Sequence, residues 1–328
     1  MLEAATETRP DRIAVALCID RAFFPHAVTT VASLLNSGQS LGLDVRIFHC
    51  GDDPSCAATI RALFARRPSD TCRFIPIDLD RFSDFPVSAA ISAGTYARLL
   101  LPHLMPEHDR VLYLDADLVV LADLADLWRL DLAGRAAAAV PDPFCDNRTS
   151  LGFAQAEPYF NAGVLLMNLA VWRSEDLAAA TMRLIQREGS NLKYFDQDAL
   201  NLTLRGRVRF VDPRWNFQPR AADLRAADLG YERGAFAELR RNPAVIHYTT
   251  PHKPWKDPFA IHYGRHYLRC LDLLGETFRT RFFPGLPRRP ALRVSHCKTS
   301  LRWHFPGAYR LVRDWAGGRR GLFAQGGC

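Results

Sequence analysis

Asp115 and Asp117 stand two residues apart after the apolar run VLYL, and an extended backbone there would turn both carboxylates to one face. Two like charges held side by side repel, and a divalent cation is the usual relief. Taken alone, the D-x-D pair also fits the solvated end of a strand. Three further polar residues close apolar runs: Asp20 after 13–19, Asp142 after AAAAV, and His247 within 245–248. Together these are four carboxylates and one imidazole at strand ends, a set that calls for a cation. A lone histidine at a strand end is ordinarily structural, so its neighbours must decide.

The elements that would position these groups follow from hydrophobic pattern. Runs at 13–19, 45–50, 72–78, 110–114, 136–140, 160–168, 208–211 and 245–248 read as strands. Between them, HAVTTVASLLN, 54–66, 96–104, the stretch after Ser174 and 196–204 read as helices. Ser174 is expected to cap its helix, with Glu175 and Asp176 in the first turn and Gly189 at the end. Strands separated by single helices imply an α/β chain with a mostly parallel sheet and helices on both faces. Ligands then bind beyond the carboxyl ends of the strands. The stretch 143–157 is irregular.

Four blocks carry a resemblance: TYARLLLPHLMPEHDRVLYLDADLVV, YFNAGVLLMNL, YFDQDALN and IHYTTPHKPW, in that order. They resemble the family 8 retaining glycosyltransferases, and within them the bacterial lipooligosaccharide galactosyl- and glucosyltransferases. The resemblance covers about 13–258. It implies the GT-A nucleotide-sugar-binding fold, a UDP-hexose donor (galactose or glucose), Mn²⁺ or Mg²⁺, and transfer with retained configuration to a saccharide acceptor such as a lipopolysaccharide core.

The same resemblance assigns roles. Asp115 and Asp117 become the metal pair and His247 the third protein ligand, a donor set that suits Mn²⁺ or Mg²⁺. Lys253 would reach the donor diphosphate as a point charge. Thr250 stands where the H-x-x-G-x-x-K-P-W signature has glycine, a departure at the donor phosphates. Asp20 matches the residue that bonds uracil, and Phe23 falls where a ring stacks on the base; a core aromatic is the plain alternative for Phe23. Arg98 is placed on the donor sugar or its phosphates. Asp142, Asn161 and Asp196 are expected at sugar hydroxyls. Gln197 is expected beneath the anomeric carbon, its amide oxygen steadying positive charge. Asp198 is expected to be structural.

Composition sets the outer limits. The chain has 328 residues, 48% hydrophobic and 23% charged, which excludes a mainly disordered protein. No apolar run approaches the roughly 20 residues of a membrane-spanning helix. The start, MLEAATETRPDR, lacks the basic and apolar segments of a secretory signal, so a cytoplasmic location is expected. Eight cysteines without a C-x-x-C pair are expected to be reduced thiols. The net charge of +7 is uneven, because 278–320 holds eleven Arg or Lys against Asp314 alone. The expected organisation is therefore a catalytic domain at 11–260 and a basic, aromatic-rich C-terminal appendage at 261–328. That appendage either packs on the catalytic domain or attaches peripherally to an anionic membrane face, the inner side of the cytoplasmic membrane for a lipid-linked acceptor. No nucleic-acid motif is present. A non-catalytic nucleotide-sugar-binding protein is the alternative function, and a metal-free glycoside hydrolase a weaker one.

Overall fold

The structure, a computed structural model, describes residues 12–78, 80–86 and 93–286. Contacts divide it into two compact units. The first runs to Phe217 and takes back Arg241–His247; the second holds Gln218–Arg240 and the residues from Tyr248 on.

In chain order the elements are β1 (Arg12–Asp20), α1 (Phe24–Asn36), β2 (Gly42–Cys50), α2 (Pro54–Phe64), β3 (Thr71–Pro76), α3 (Leu101–Leu104), β4 (Arg110–Leu114), β5 (Leu118–Val120) and α4 (Ala125–Trp128). They continue with β6 (Ala137–Pro141), β7 (Phe160–Asn168), α5 (Leu169–Ser174), α6 (Leu177–Glu188), α7 (Phe195–Thr203), β8 (Val208–Phe210), α8 (Arg233–Arg241), β9 (Val245–His247) and α9 (Gly264–Phe282).

Seven strands form one sheet in the order β3-β2-β1-β4-β7-β6-β8. The pairs β3/β2, β2/β1, β1/β4 and β6/β8 are parallel, whereas β7 runs antiparallel to both neighbours. The α/β class with a mostly parallel sheet is therefore observed, with one reversed strand inside it. Burial explains the near-continuous apolar runs: seven central residues of β1 are inaccessible on both faces. Ala14, Ala16 and Cys18 point to a core that includes Phe82, Tyr96, Tyr113 and Trp172. Trp172 is fully enclosed, and its indole N–H donates to Ala136 O at 3.0 Å, so its one polar atom is satisfied.

The reversed strand matters for the site. Leu114 at the carboxyl end of β4 pairs with Val164, and Pro141 at the end of β6 pairs with Phe160. The amino end of β7 thus joins the carboxyl ends of its neighbours at one edge. Order also reverses between β1 and β4, where open α/β sheets form their crevice.

Several expectations are corrected. Residues 96–104 are not one α-helix but a 3-10 run, Ala93–Leu100, followed by α3. Pro102 lacks the N–H that would carry an α-helical ladder across the junction, and it sits in the first turn of α3 instead. Ser174 does not cap the next helix. Its hydroxyl donates to Val171 O at 3.2 Å and closes α5, while Asp176, at φ 51, turns the chain into α6. The 245–248 run does not join the large sheet. It gives β9, which pairs antiparallel with β5 in a separate two-stranded ribbon, Leu118 opposite His247.

In the second unit, α9 is broken at Gly275 (φ 82). Tyr248, Trp255 and Phe283 surround the ring of Tyr267 with centroids 6.1, 5.5 and 6.1 Å away. The basic segment 278–320 lies outside the described residues from 287 on; of its start, Phe278, Phe283 and Leu286 are buried. Among the described residues no helix is long and apolar enough to cross a membrane. The described cysteines, Cys18, Cys50, Cys56, Cys72, Cys145 and Cys270, are free thiols, and burial pushes Cys72 and Cys270 up to about 12.

Candidate active site

The chain leaves β4 at Leu114 and bends before β5, and Asp115 and Asp117 lie on that bend rather than on extended strand. Two devices hold it. Asp115 N–H donates to Gly163 O at 2.8 Å, tying the bend to β7. The Thr30 hydroxyl on α1 lies 2.9 Å from Ala116 O and 2.8 Å from Leu118 O, and donates to one of them. Ser33, one turn on, accepts from Val120 N–H at 2.9 Å. The polar face of α1 is thus buried because it carries this bend.

Asp115 is anchored through one oxygen. Its Oδ1 accepts from Tyr113 Oη at 2.5 Å and Arg98 Nη2 at 3.1 Å. Its Oδ2 faces His247 Nε2 at 3.6 Å, and Asp117 Oδ1 lies 3.0 Å from the same nitrogen. Register brings His247 there, since it pairs with Leu118, the residue after Asp117. One ligand atom from each of Asp115, Asp117 and His247 falls within 4.8 Å of the others.

The His247 ring and the Asp115 carboxylate occupy the place that a side chain at position 163 would need. A Cβ at Gly163 would lie 2.1 Å from His247 Cε1 and 2.6 Å from Asp115 Oδ2. A glycine inside an otherwise apolar strand marks a close approach, here of a backbone to two of the three ligand side chains, His247 and Asp115. Two carboxylate oxygens and one imidazole nitrogen fit a hard or borderline divalent cation such as Mn²⁺ or Mg²⁺.

Beneath the bend lies Arg98, 4% exposed. Its guanidinium stacks over Tyr113 at 4.4 Å and donates to Ala162 O, Thr95 O and Thr95 Oγ1 as well as to Asp115. Arg98, expected on the donor, makes these contacts with protein groups that set the carboxylates. Its Nε also lies 3.1 Å from Asp196 Oδ2, yet that N–H is aimed at Thr95 O. Asp196 Oδ2 is accordingly a buried oxygen with charge nearby and no aligned donor. Burial raises the Asp196 carboxyl to about 6, against the pull of Arg98 and with the push of Asp115.

That shift has a stability consequence. Below about pH 4 Asp196 is protonated folded or unfolded and contributes nothing. Between an ordinary 3.8 and about 6 the folded state keeps a proton that the unfolded state has lost, so stability falls as pH rises. Above pH 6 the ionised group costs about 3 kcal/mol. Asp196→Asn should therefore be more stable than wild type at pH 8, with a gain that shrinks toward pH 4, because Arg98 keeps Asp115. Denaturant titrations at the two pH values check this, and an Asn variant less stable at pH 8 would contradict it.

Asp142, Asn161 and Gln197 form one amide-linked row. Asn161 Nδ2 donates to Gln197 Oε1 at 3.1 Å and Asp142 Oδ2 at 3.4 Å, and its Oδ1 accepts from Gly163 N–H and Asn216 Nδ2. Gln197 Oε1 also accepts from Ala162 N–H at 3.1 Å, so the oxygen expected at the anomeric centre is already bonded to two donors. Asp198 is fully buried and accepts from Tyr159 Oη, Asn147 Nδ2 and Tyr194 N–H, which fastens α7 to the 143–157 stretch.

The family model of Glycosyl transferase family 8 matches residues 14–258. The chain belongs to glycosyl transferase family 8. It is 31% identical over 208 residues to a Haemophilus influenzae protein named a glycosyltransferase, 61% of this chain and 61% of that one. To the lipopolysaccharide 1,3-galactosyltransferase of Salmonella typhimurium it is 26% identical over 277 residues, covering 81% and 80%. In three dimensions it is similar to the galactosyltransferase LgtC, solved with donor and acceptor sugar analogues: TM-score 0.68, 29% identity, 80% of this chain and 95% of that one. The architecture is the GT-A fold of that neighbour.

The other expected residues of this family 8 chain lie as follows. Asp20 ends β1, and its Oδ1 accepts from Phe23 N–H at 3.0 Å, capping a 3-10 turn. Phe23 is half-buried, edge-on to His26 at 5.5 Å, not a core ring. Thr250 and Lys253 belong to the second unit. There Thr250 donates to His252 O at 3.1 Å, and Lys253 donates to Tyr248 O at 2.5 Å beside the Trp255 ring. Sequence reasoning missed Gly163, Tyr113 and Asn216. The lone glycine of the apolar FNAGVLLM run was a usable signal; an asparagine in the turn Pro213–Asn216 offered none.

Proposed function

We propose that this chain is a retaining hexosyltransferase that moves galactose or glucose from a UDP-sugar to a saccharide acceptor of the lipopolysaccharide-core class, with a divalent cation bound by Asp115, Asp117 and His247. The supporting observation is the convergence of their three ligand atoms, with His247 and Asp115 seated where only a glycine at position 163 admits them. A cation bound there would act as a Lewis acid on the leaving diphosphate.

The chain's own residues supply the rest. Asp196 Oδ2, lacking an aligned donor, is suited to accept from a sugar hydroxyl, and Asp142 and Asn161 present further polar atoms in the same row. Gln197 is a weak nucleophile made weaker by two hydrogen bonds to its oxygen, which favours front-side transfer over a covalent sugar–enzyme intermediate. In that step the anomeric carbon–phosphate oxygen bond breaks and the acceptor oxygen bonds to the same face. The acceptor's proton passes to the departing phosphate oxygen. We assign catalysis to 11–260 and treat 261–328 as an extension whose cations suit attraction to an anionic membrane face when the acceptor is lipid-linked.

A panel of UDP-sugars with Mn²⁺, scored for UDP release, tests this. UDP-galactose or UDP-glucose should be turned over, and chelation should remove the activity. Turnover that survives the chelator would favour a hydrolase, and an intact donor across the whole panel would favour a binding protein.

A further inference from the structure

His247 Nδ1 lies 2.9 Å from Asn216 Oδ1, and both residues are buried. Which of the two atoms carries the proton is fixed from further along the row. Backbone N–H groups can only donate, and two of them, Ala162 and Gly163, anchor it. Gly163 N–H points to the Asn161 atom that must therefore be its oxygen. Ala162 N–H does the same for Gln197, whose oxygen then takes the Asn161 Nδ2 group, so both amides set Asn161 the same way round. The Asn216 atom 2.9 Å from Asn161 Oδ1 must then be its nitrogen, which leaves Asn216 Oδ1 toward the imidazole. An oxygen that can only accept requires a proton on His247 Nδ1.

We infer that Asn216 is a positioning residue: with Asn161 it transmits the polarity of two β7 amides to His247, holding the Nδ1–H tautomer so that the Nε2 lone pair joins Asp115 and Asp117. Partners of this kind fix ring orientation and tautomer at metal sites, and removing one typically lowers metal affinity about 10–100-fold. The inference rests on the cation site proposed above, but the Nδ1 proton is set by Asn216 whether or not an ion is bound; without one, Nε2 faces Asp117 Oδ1 at 3.0 Å and can hold a proton too.

The test is nitrogen NMR of the full chain labelled at histidine, metal-free at pH 8, with His247 assigned from the spectrum of His247→Gln. Wild type should show a protonated Nδ1, with or without a second proton on Nε2 toward Asp117. Asn216→Ala should mix the tautomers and weaken Mn²⁺ binding, read by electron paramagnetic resonance, about 10–100-fold. Asn216→Asp, which can still accept from Nδ1–H, should keep the tautomer. A wild-type Nε2–H tautomer, or an Asn216→Ala variant with tautomer and Mn²⁺ affinity unchanged, would overturn the inference while leaving the cation site intact. The Nδ1–H tautomer in a protein that binds no Mn²⁺ would support the inference and overturn the cation site.

Discussion

Gly163→Ala should abolish turnover, by at least about a thousandfold, in a protein that still folds. The added methyl would sit 2.1 Å from His247 Cε1, 2.6 Å from Asp115 Oδ2 and 2.7 Å from His247 Nδ1, inside any real contact distance. The strand cannot retreat freely, because β7 is paired on both sides and Gly163 O holds Asp115 N–H. His247 must therefore swing away, and with it goes one of the three ligand atoms. Overpacking of this sort costs about 1–3 kcal/mol, a small part of a domain's stability against the loss of a charge-stabilising site worth several kcal/mol in the transition state. Initial rates beside a thermal melt separate the two effects. Turnover within tenfold of wild type would show that the site does not need His247 and Asp115 seated against Gly163.

Asp117→Asn should be as damaging to rate and gentler on stability than Asp115→Asn. Replacing Asp117 relieves repulsion between neighbouring negative charges while weakening its contact with His247 Nε2, 3.0 Å away, so the two effects oppose each other. Asp115 also receives Tyr113 and the buried Arg98, and its Asn variant leaves those donors poorly matched, at about 1–3 kcal/mol. Both variants should lower turnover by at least about a thousandfold, the equivalent of about 4 kcal/mol. Equal stability losses in the two would contradict the anchoring of Asp115 by Arg98.

Much of this was legible before any coordinates. Residues 13–19 are apolar because β1 is covered on both faces, and the D-x-D pair after VLYL does stand at the carboxyl end of a central strand. His247 reaches the acids as expected, by a different route: strands of three residues carry too little pattern to reveal that β5 and β9 make their own ribbon. Nor does an apolar run state its direction, so the reversal of β7, which brings Asn161 and Gly163 to the acids, could not be read. Asn216, and the anchoring contact of Arg98 with Asp115, escaped for another reason. Each works on the site through a neighbouring side chain, and such roles depend on contacts made far along the chain.

The most direct measurement is a Mn²⁺ titration of the metal-free protein, with free ion followed by electron paramagnetic resonance. One saturable site per chain is the predicted result, absent from Asp117→Asn and from His247→Gln. A wild-type protein with no saturable site, or a site that persists in both variants, would contradict the assignment of Asp115, Asp117 and His247 to a cation.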